Sequence, residues 1–288
     1  MKHLLTIAAG LAVIAATTTD AAAERRHNGL AKDKAVRNRR LLVKNRLEFA
    51  PLFESTINAD FKHIIGGGAK LEYHLGDMFS IGGIAVGSTA INTALTDRIV
   101  PTLETNADAT TPEPSQDEFV NRLNAIPFHG AAYASLTPWY GKLAAFSQAF
   151  VAFDFYFQAG VSFAQLTSNC ELSAGGPCND DHPGETKMQG QDTIPADLNP
   201  NNDPSLNAGQ RVGLYLGGGI HVFVSDFIAL DLTVRDYAFS DNPSGADVSG
   251  PNNGPDRAVT SDDNRFLHHL FFGAGVSVMF PTKVKRTP

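Results

Sequence analysis

Charged and imidazole side chains recur at even spacing in this chain, and even spacing places residues on one face of an extended strand. Lys70, Glu72 and His74 form one set, Glu48 and Glu54 a second, Asp231 and Arg235 a third, while Asp154 and His221 lie in two further alternating segments. Carboxylates beside ammonium, guanidinium and imidazole groups support two chemistries: fixed ion pairing, or a relay for protons or ions. If these faces line a narrow interior, pairing is expected, because charge held away from water needs a partner. The expected network is Glu48, Lys70, Glu72, His74, Asp154, Asp231 and Arg235, with Lys70 and Arg235 set against the acids. A relay would need a continuous wet path, which a narrow interior opposes.

Other groups are weaker bearers of chemistry. His268 and His269, with Ser240 or Ser261, supply the residue types of a hydrolase, but no spacing brings nucleophile and base together. Asp180-Asp181-His182 and Asp262-Asp263-Asn264 offer oxygen ligands for a hard cation without the spacing of a calcium loop, so solvated charge is expected there. Gly66-Gly67-Gly68 and Gly217-Gly218-Gly219 fall inside alternating segments, where they relieve packing; they do not cradle phosphate. Cys170 and Cys178 lie in a polar stretch and are expected to form one disulfide if the chain is exported. No catalytic residue, metal site or cofactor is assigned, and the expectation is a non-enzymatic protein.

The elements that must position these groups are strands. From Phe266 to Phe280 one parity carries Phe266, His268, Leu270, Phe272, Ala274, Val276, Val278 and Phe280, and the other Leu267, His269, Phe271, Gly273, Gly275, Ser277 and Met279. Similar alternation predicts strands near 45–55, 61–75, 78–88, 127–137, 151–163, 210–223 and 227–239, eight with the last. Pro51 predicts a bulge or break in the first. Pro138-Trp139-Tyr140-Gly141 reads as a turn, with Trp139, Tyr140 and Phe280 as interfacial aromatics. Within the long 90–126 connection, 115–123 has the spacing of a short helix.

Connections after the second, fourth and sixth strands are short, and those after the third, fifth and seventh are long. A transmembrane barrel sorts its loops in this way, with short periplasmic turns, long external loops and an even strand number. The long 167–208 connection carries seven acidic residues against Lys187. Residues 1–23, with Lys2, an apolar Leu4-to-Ala16 run and Ala21-Ala22-Ala23, have the form of a secretory signal. From Glu24 to Arg46 there are nine Lys or Arg against Glu24 and Asp33. The arm over 24–44 reads either as a contact for anionic headgroups, cell-wall polymer or other periplasmic material, or as a solubilising tail. The barrel is assigned to 45–281 and a tail to 282–288. A formal net charge of −7 excludes the basic footprint of a nucleic-acid binder.

Asn45-Arg46-Leu47-Glu48-Phe49, Tyr73-His74-Leu75, Thr137-Pro138-Trp139-Tyr140-Gly141-Lys142, Phe153-Asp154-Phe155-Tyr156, Val234-Arg235-Asp236-Tyr237 and Gly273 to Pro281 resemble motifs of outer-membrane β-barrel domain proteins of myxobacterial type. That family is similar to small OmpA-like barrels. The resemblance implies location and fold, with no catalytic residues and no settled activity. The expectation is an all-β, closed antiparallel eight-stranded barrel in a Gram-negative outer membrane, both termini periplasmic. Its partners would be outer-membrane lipid and a surface ligand at the external loops. A passive conduit for a small or apolar solute, and a lipid-modifying enzyme, are the alternative functions.

Overall fold

The computed structural model describes residues 43–103, 116–145, 149–168, 208–245 and 263–282. The signal-like segment, nearly all of the basic arm, both cysteines and Asp180 to His182 lie outside them. Strands alternate as their residue types dictate, but with the usual soluble order inverted. In β1 (Leu47–Thr56) Glu48, Ala50, Leu52, Glu54 and Thr56 are buried, while Leu47, Phe49 and Phe53 are exposed. β2 (Lys62–His74) buries Lys70, Glu72 and His74 and exposes Leu71 and Tyr73. A strand that buries acids and bases and exposes leucine and phenylalanine has its polar face enclosed.

Enclosure follows from closure of the sheet. β3 (Phe79–Asn92), β4 (Ala125–Ala145), β5 (Ala149–Thr167), β6 (Gly209–Phe223), β7 (Ile228–Asp241) and β8 (Arg265–Phe280) follow in order, each antiparallel to its predecessor, and β8 pairs back on β1. The pairing row from Glu48 runs through Glu72, Gly82, Tyr133, Gly160, Tyr215 and Tyr237 to His269. Glu48 itself pairs with Met279, so one circuit shifts the register by ten residues. With eight strands, that stagger sets a tilt of about 40° and an interior that side chains fill.

The connections after β2, β4 and β6 lie where Leu47 meets Phe280; those after β1, β3, β5 and β7 lie at the opposite end, the first of them short and the other three long. At the short-turn end Val43 packs with Phe223, Ala229 and Met279. Arg46 donates there to the carbonyls of Asp226 (3.1 Å) and Met279 (3.3 Å). At the other end α1 (Ala94–Ile99) is capped by Thr93, whose hydroxyl accepts from the Thr96 amide. α2 (Gln116–Arg122) follows; Phe119 meets Phe61 edge-on, and Leu123, just beyond α2, is fully buried near the mouth. The short helix expected over 115–123 matches α2; α1, which is not among the expected elements, has the Thr93 cap and the Leu95/Ile99 spacing as its local signals.

Prolines decide two expectations. No turn forms at Pro138 to Gly141: β4 continues to Ala145, and β5 begins at Ala149. The β4–β5 register instead slips by one residue between Leu136 and Trp139, and again between Ala125 and Phe128. Each slip spans a proline, Pro138 or Pro127, whose imide nitrogen has no hydrogen for the ladder. A one-residue slip exchanges faces. Trp139 therefore points outward, 61% exposed, whereas Tyr140 sits opposite Asp154 on the inner face and does not join the outer aromatics. Phe280 is exposed outside. At Pro51 the break forms without a bulge: the ladder to β2 is unbroken, but Ala50 and Pro51 have no pairing partner on β8, and the ladder there resumes from Phe49↔Val278 to Leu52↔Gly275 in unchanged register.

Candidate functional site

The inner face carries a set of ionic and hydroxyl groups stacked along the barrel. Nearest the short-turn end is a cluster centred on Lys70. Its ammonium lies 2.7 Å from Glu48 Oε1 and 2.7 Å from Asp231 Oδ2, and 3.2 Å from His221 Nε2. The second Glu48 oxygen is 3.0 Å from His74 Nε2, and the Ser277 hydroxyl donates to Oε1 at 2.6 Å. His221 Nδ1 lies 2.9 Å from Asp154 Oδ1 and its Nε2 lies 3.3 Å from Glu48. Tyr156 donates to Asp231, stacks on His221 at 4.5 Å, and presents its ring to Lys70 at 5.1 Å. These side chains come from β1, β2, β5, β6, β7 and β8, so the barrel must close before the cluster exists.

Above it, Glu72 accepts from uncharged donors: the Ser80 hydroxyl, Tyr133 (3.0 Å) and the Gln158 amide (3.4 Å). Tyr215 in turn donates to Gln158 at 2.8 Å. The tyrosines reach inward because glycine stands opposite. A Cβ at Gly82 would lie 3.0 Å from the Tyr133 hydroxyl oxygen, and one at Gly219 2.6 Å from that of Tyr156. This is the physical role of two glycines that composition alone marks only as strand weakeners.

Higher still, Glu54 joins Arg235 Nη1 (3.0 Å) and His129. His129 packs against Tyr237 and Phe271, with ring centroids 5.0 and 4.8 Å away. At the mouth Asp241 accepts from Asn124 at 2.6 Å and lies 3.1 Å from His269 Nε2. The lumen is thus lined by polar side chains, with Leu123, Ile126 and Leu166 buried toward the mouth.

Of the residues named from sequence, the structure brings Glu48, Lys70, His74 and Asp231 into direct contact and links Asp154 through His221. Glu72 pairs with hydroxyls and an amide. Arg235 meets Glu54, not any of the acids set against it from sequence. His129 was not among the groups read as inward-facing; its shared parity with Ala131 and Tyr133 is the signal that finds it. His268 Nδ1 lies 2.6 Å from Asp236 on the outer face, and His269 bridges Asp241 and the Tyr237 carbonyl; neither histidine bonds a serine among the described residues. Ser261 and Asp262 lie outside those residues.

Two donor sets converge tightly enough to hold a cation: Glu48, His221 and Asp231, and Glu48, Glu72 and His74, each with ligand atoms within 4.8 Å of one another. In the first, the Lys70 ammonium already lies between the two carboxylates. The chemistry this arrangement performs best is mutual charge satisfaction among buried groups.

No protein-family model matches the chain, and no curated protein is similar to it. Among solved structures it is similar to the N-terminal β-barrel domain of OprF from Pseudomonas aeruginosa, at 10% identity over 82% of this chain and 98% of that one, TM-score 0.37. OprG from the same organism matches at 10% identity over 82% and 96%, TM-score 0.38. Ail, the attachment invasion locus protein of Yersinia pestis, matches at 8% identity over 82% and 99%, TM-score 0.31. The architecture of the present chain rests on its own closed strand order.

Proposed function

We propose that the chain is an outer-membrane barrel with a self-plugged lumen, both termini periplasmic, which presents its long external connections as an interaction surface. The observation that carries this reading is the inversion of the sheet. β8 turns Phe280, Val278, Val276, Ala274, Phe272 and Leu270 outward, and ten residue steps at the barrel's tilt span roughly 25 Å, the height of an outer-membrane apolar band. A closed sheet has no unpaired edge within that band, as hydrocarbon requires. Inside, the buried acids Glu48, Glu54, Glu72, Asp154, Asp231 and Asp241 each have a cationic, imidazole, hydroxyl or amide partner, which supports a structural plug over a conduit. The long external connections, one of them strongly acidic, are what remains to meet a surface ligand. The short motifs that resemble those of myxobacterial-type barrels support the same reading.

Reconstitution tests both halves of the proposal. In planar bilayers the folded protein is expected to give no steady conductance; sustained single-channel openings would replace the plug with a conduit. In liposomes, Val276→Arg at the middle of the band is expected to cost about 2–4 kcal/mol, and Phe266→Arg beyond its outer end about 0–1 kcal/mol. Equal costs would remove the membrane band.

A further inference from the structure

The lumen leaves unused a pair of groups on the outer wall. Ser55 and His63 both have outward parity at the loop end of the β1–β2 hairpin, and Ser55 Oγ lies 2.8 Å from His63 Nε2. His63 Nδ1 lies 3.0 Å from Thr56 Oγ1. That Thr56 oxygen accepts the Ile64 amide hydrogen at 3.0 Å and turns its own hydrogen toward the Ile64 carbonyl at 3.5 Å. In the tautomer that matches this placement of the threonine hydrogen, Nδ1 donates and Nε2 presents its lone pair to the serine hydroxyl. A nucleophile, a base in the right tautomer and a third group orienting the base are the ingredients of hydroxyl activation. The backbone already holds the hairpin here, through Ser55↔Ile65, so the dyad is not needed to close it.

The surroundings are apolar. Ser55 has Ile65 and Phe272 as cross-strand neighbours, His63 has Ile91, and Phe53 and Ile57 flank the serine on its own side. Phe53, Ile57, Ile91 and Phe272 are each about half exposed, between 49% and 58%. Ser55 lies opposite Phe272, one outward position inside Leu270, where the apolar band of β8 ends. That is the depth at which the acyl-ester linkages of a membrane lipid meet its hydrocarbon.

We propose that Ser55 and His63 form a nucleophile–base dyad on the outer wall that reacts with acyl esters of outer-leaflet lipid. Ser55 Oγ forms a bond to the ester carbonyl carbon as its proton passes to His63 Nε2. The ester C–O bond then breaks, and the departing alkoxide takes that proton and leaves as the alcohol. Water, deprotonated by His63, attacks the acyl-serine; fatty acid leaves and the serine regains its proton. A hydroxyl behind the imidazole stabilises the imidazolium less than a carboxylate would, so the covalent adduct is the sharper readout. The lipid substrate rests on the membrane reading above; adduct formation in detergent does not.

The test uses the full chain refolded in detergent, with folding of each variant verified by heat-modifiable gel mobility. A long-chain alkyl fluorophosphonate is added, and the modified residue is identified by mass spectrometry; the serine oxygen bonds phosphorus as fluoride departs. The expected result is an adduct on Ser55, absent in Ser55→Ala and formed at least about 100-fold more slowly in His63→Gln. Thr56→Val should slow labelling and Thr56→Ser preserve it, which keeps the test decisive if the histidine variant does not fold. A folded protein that takes no label at Ser55, or labels as fast without His63 or the Thr56 hydroxyl, overturns the dyad. Equal rates with short- and long-chain probes overturn lipid as the substrate class.

Discussion

The two ends of the lumen solve the same electrostatic problem differently. Near the short turns, Lys70 is shared by Glu48 and Asp231, and around it His74, His221, Asp154, Tyr156 and Ser277 add further bonds. Toward the mouth, Arg235 and His129 serve a single acid, Glu54, among the rings of Tyr237 and Phe271. In the first region one cation holds two acids; in the second one acid holds two bases. Loss of the shared cation should therefore be worse than loss of one of two bases. A buried ion pair adds little net stability as a whole, yet breaking it by removing one partner is severe.

Lys70→Met keeps the volume and removes the shared charge. It leaves Glu48 and Asp231 facing each other with His221 as the remaining base between them. The expected loss is about 3–5 kcal/mol, read from urea unfolding in liposomes with the single, outward Trp139 as the fluorescent probe. A loss below about 1 kcal/mol would mean that the cluster does not depend on its ammonium. Arg235→Met should cost less, about 2–3 kcal/mol, because Glu54 retains His129. Adding Glu54→Gln to that variant should recover part of the loss. If Arg235→Met proves the more damaging of the two, the contrast between the regions is wrong.

Much of this arrangement is legible in single strands and some of it in none. Parity is local, so Glu48, Lys70, Glu72 and Asp231 declare an inner face from their immediate neighbours, as Phe49 and Leu71 declare an outer one. Which acid meets which base is set by the ten-residue stagger around the whole barrel, and no one strand carries that quantity. The meeting of Arg235 with Glu54, rather than with an acid nearer in the expected network, follows from it. Pro138 misleads for a related reason. Proline followed by Trp-Tyr-Gly is a turn by local chemistry, but here the neighbouring strand offers a ladder that a one-residue slip can rejoin. Ser55 and His63 escape notice because an outward serine among phenylalanines and an isolated histidine at a hairpin end have no spacing signature. Only the paired register brings them within a hydrogen bond.

Between the two regions lies Glu72, whose carboxylate is satisfied by Ser80, Tyr133 and Gln158 without a direct cation contact. Glu72→Gln preserves one carbonyl acceptor but brings an amide donor toward groups that already donate. The expected loss is about 1–2 kcal/mol, smaller than that of either cation, in the same unfolding assay. A loss equal to that of Lys70→Met would tie Glu72 to the ionic cluster below it and dissolve the boundary between the regions.

Tyr156→Phe probes that boundary most gently. The hydroxyl gives Asp231 one hydrogen bond, while Lys70 stays on the other carboxylate oxygen and the ring keeps its stacking on His221. Removing one oxygen from a group that retains its charged partner should cost about 1 kcal/mol. It should also leave the proportions of the contrast intact: combined with Lys70→Met, the phenylalanine should cost more than it does alone, because Asp231 then keeps only His221, 3.7 Å away. Two groups that share an acceptor are expected to couple, and a double-mutant cycle with a coupling of about 0.5 kcal/mol or more would register it. Strict additivity would mean that Asp231 finds another partner once the ammonium is gone, and that the cluster is held by its packing more than by the shared charge.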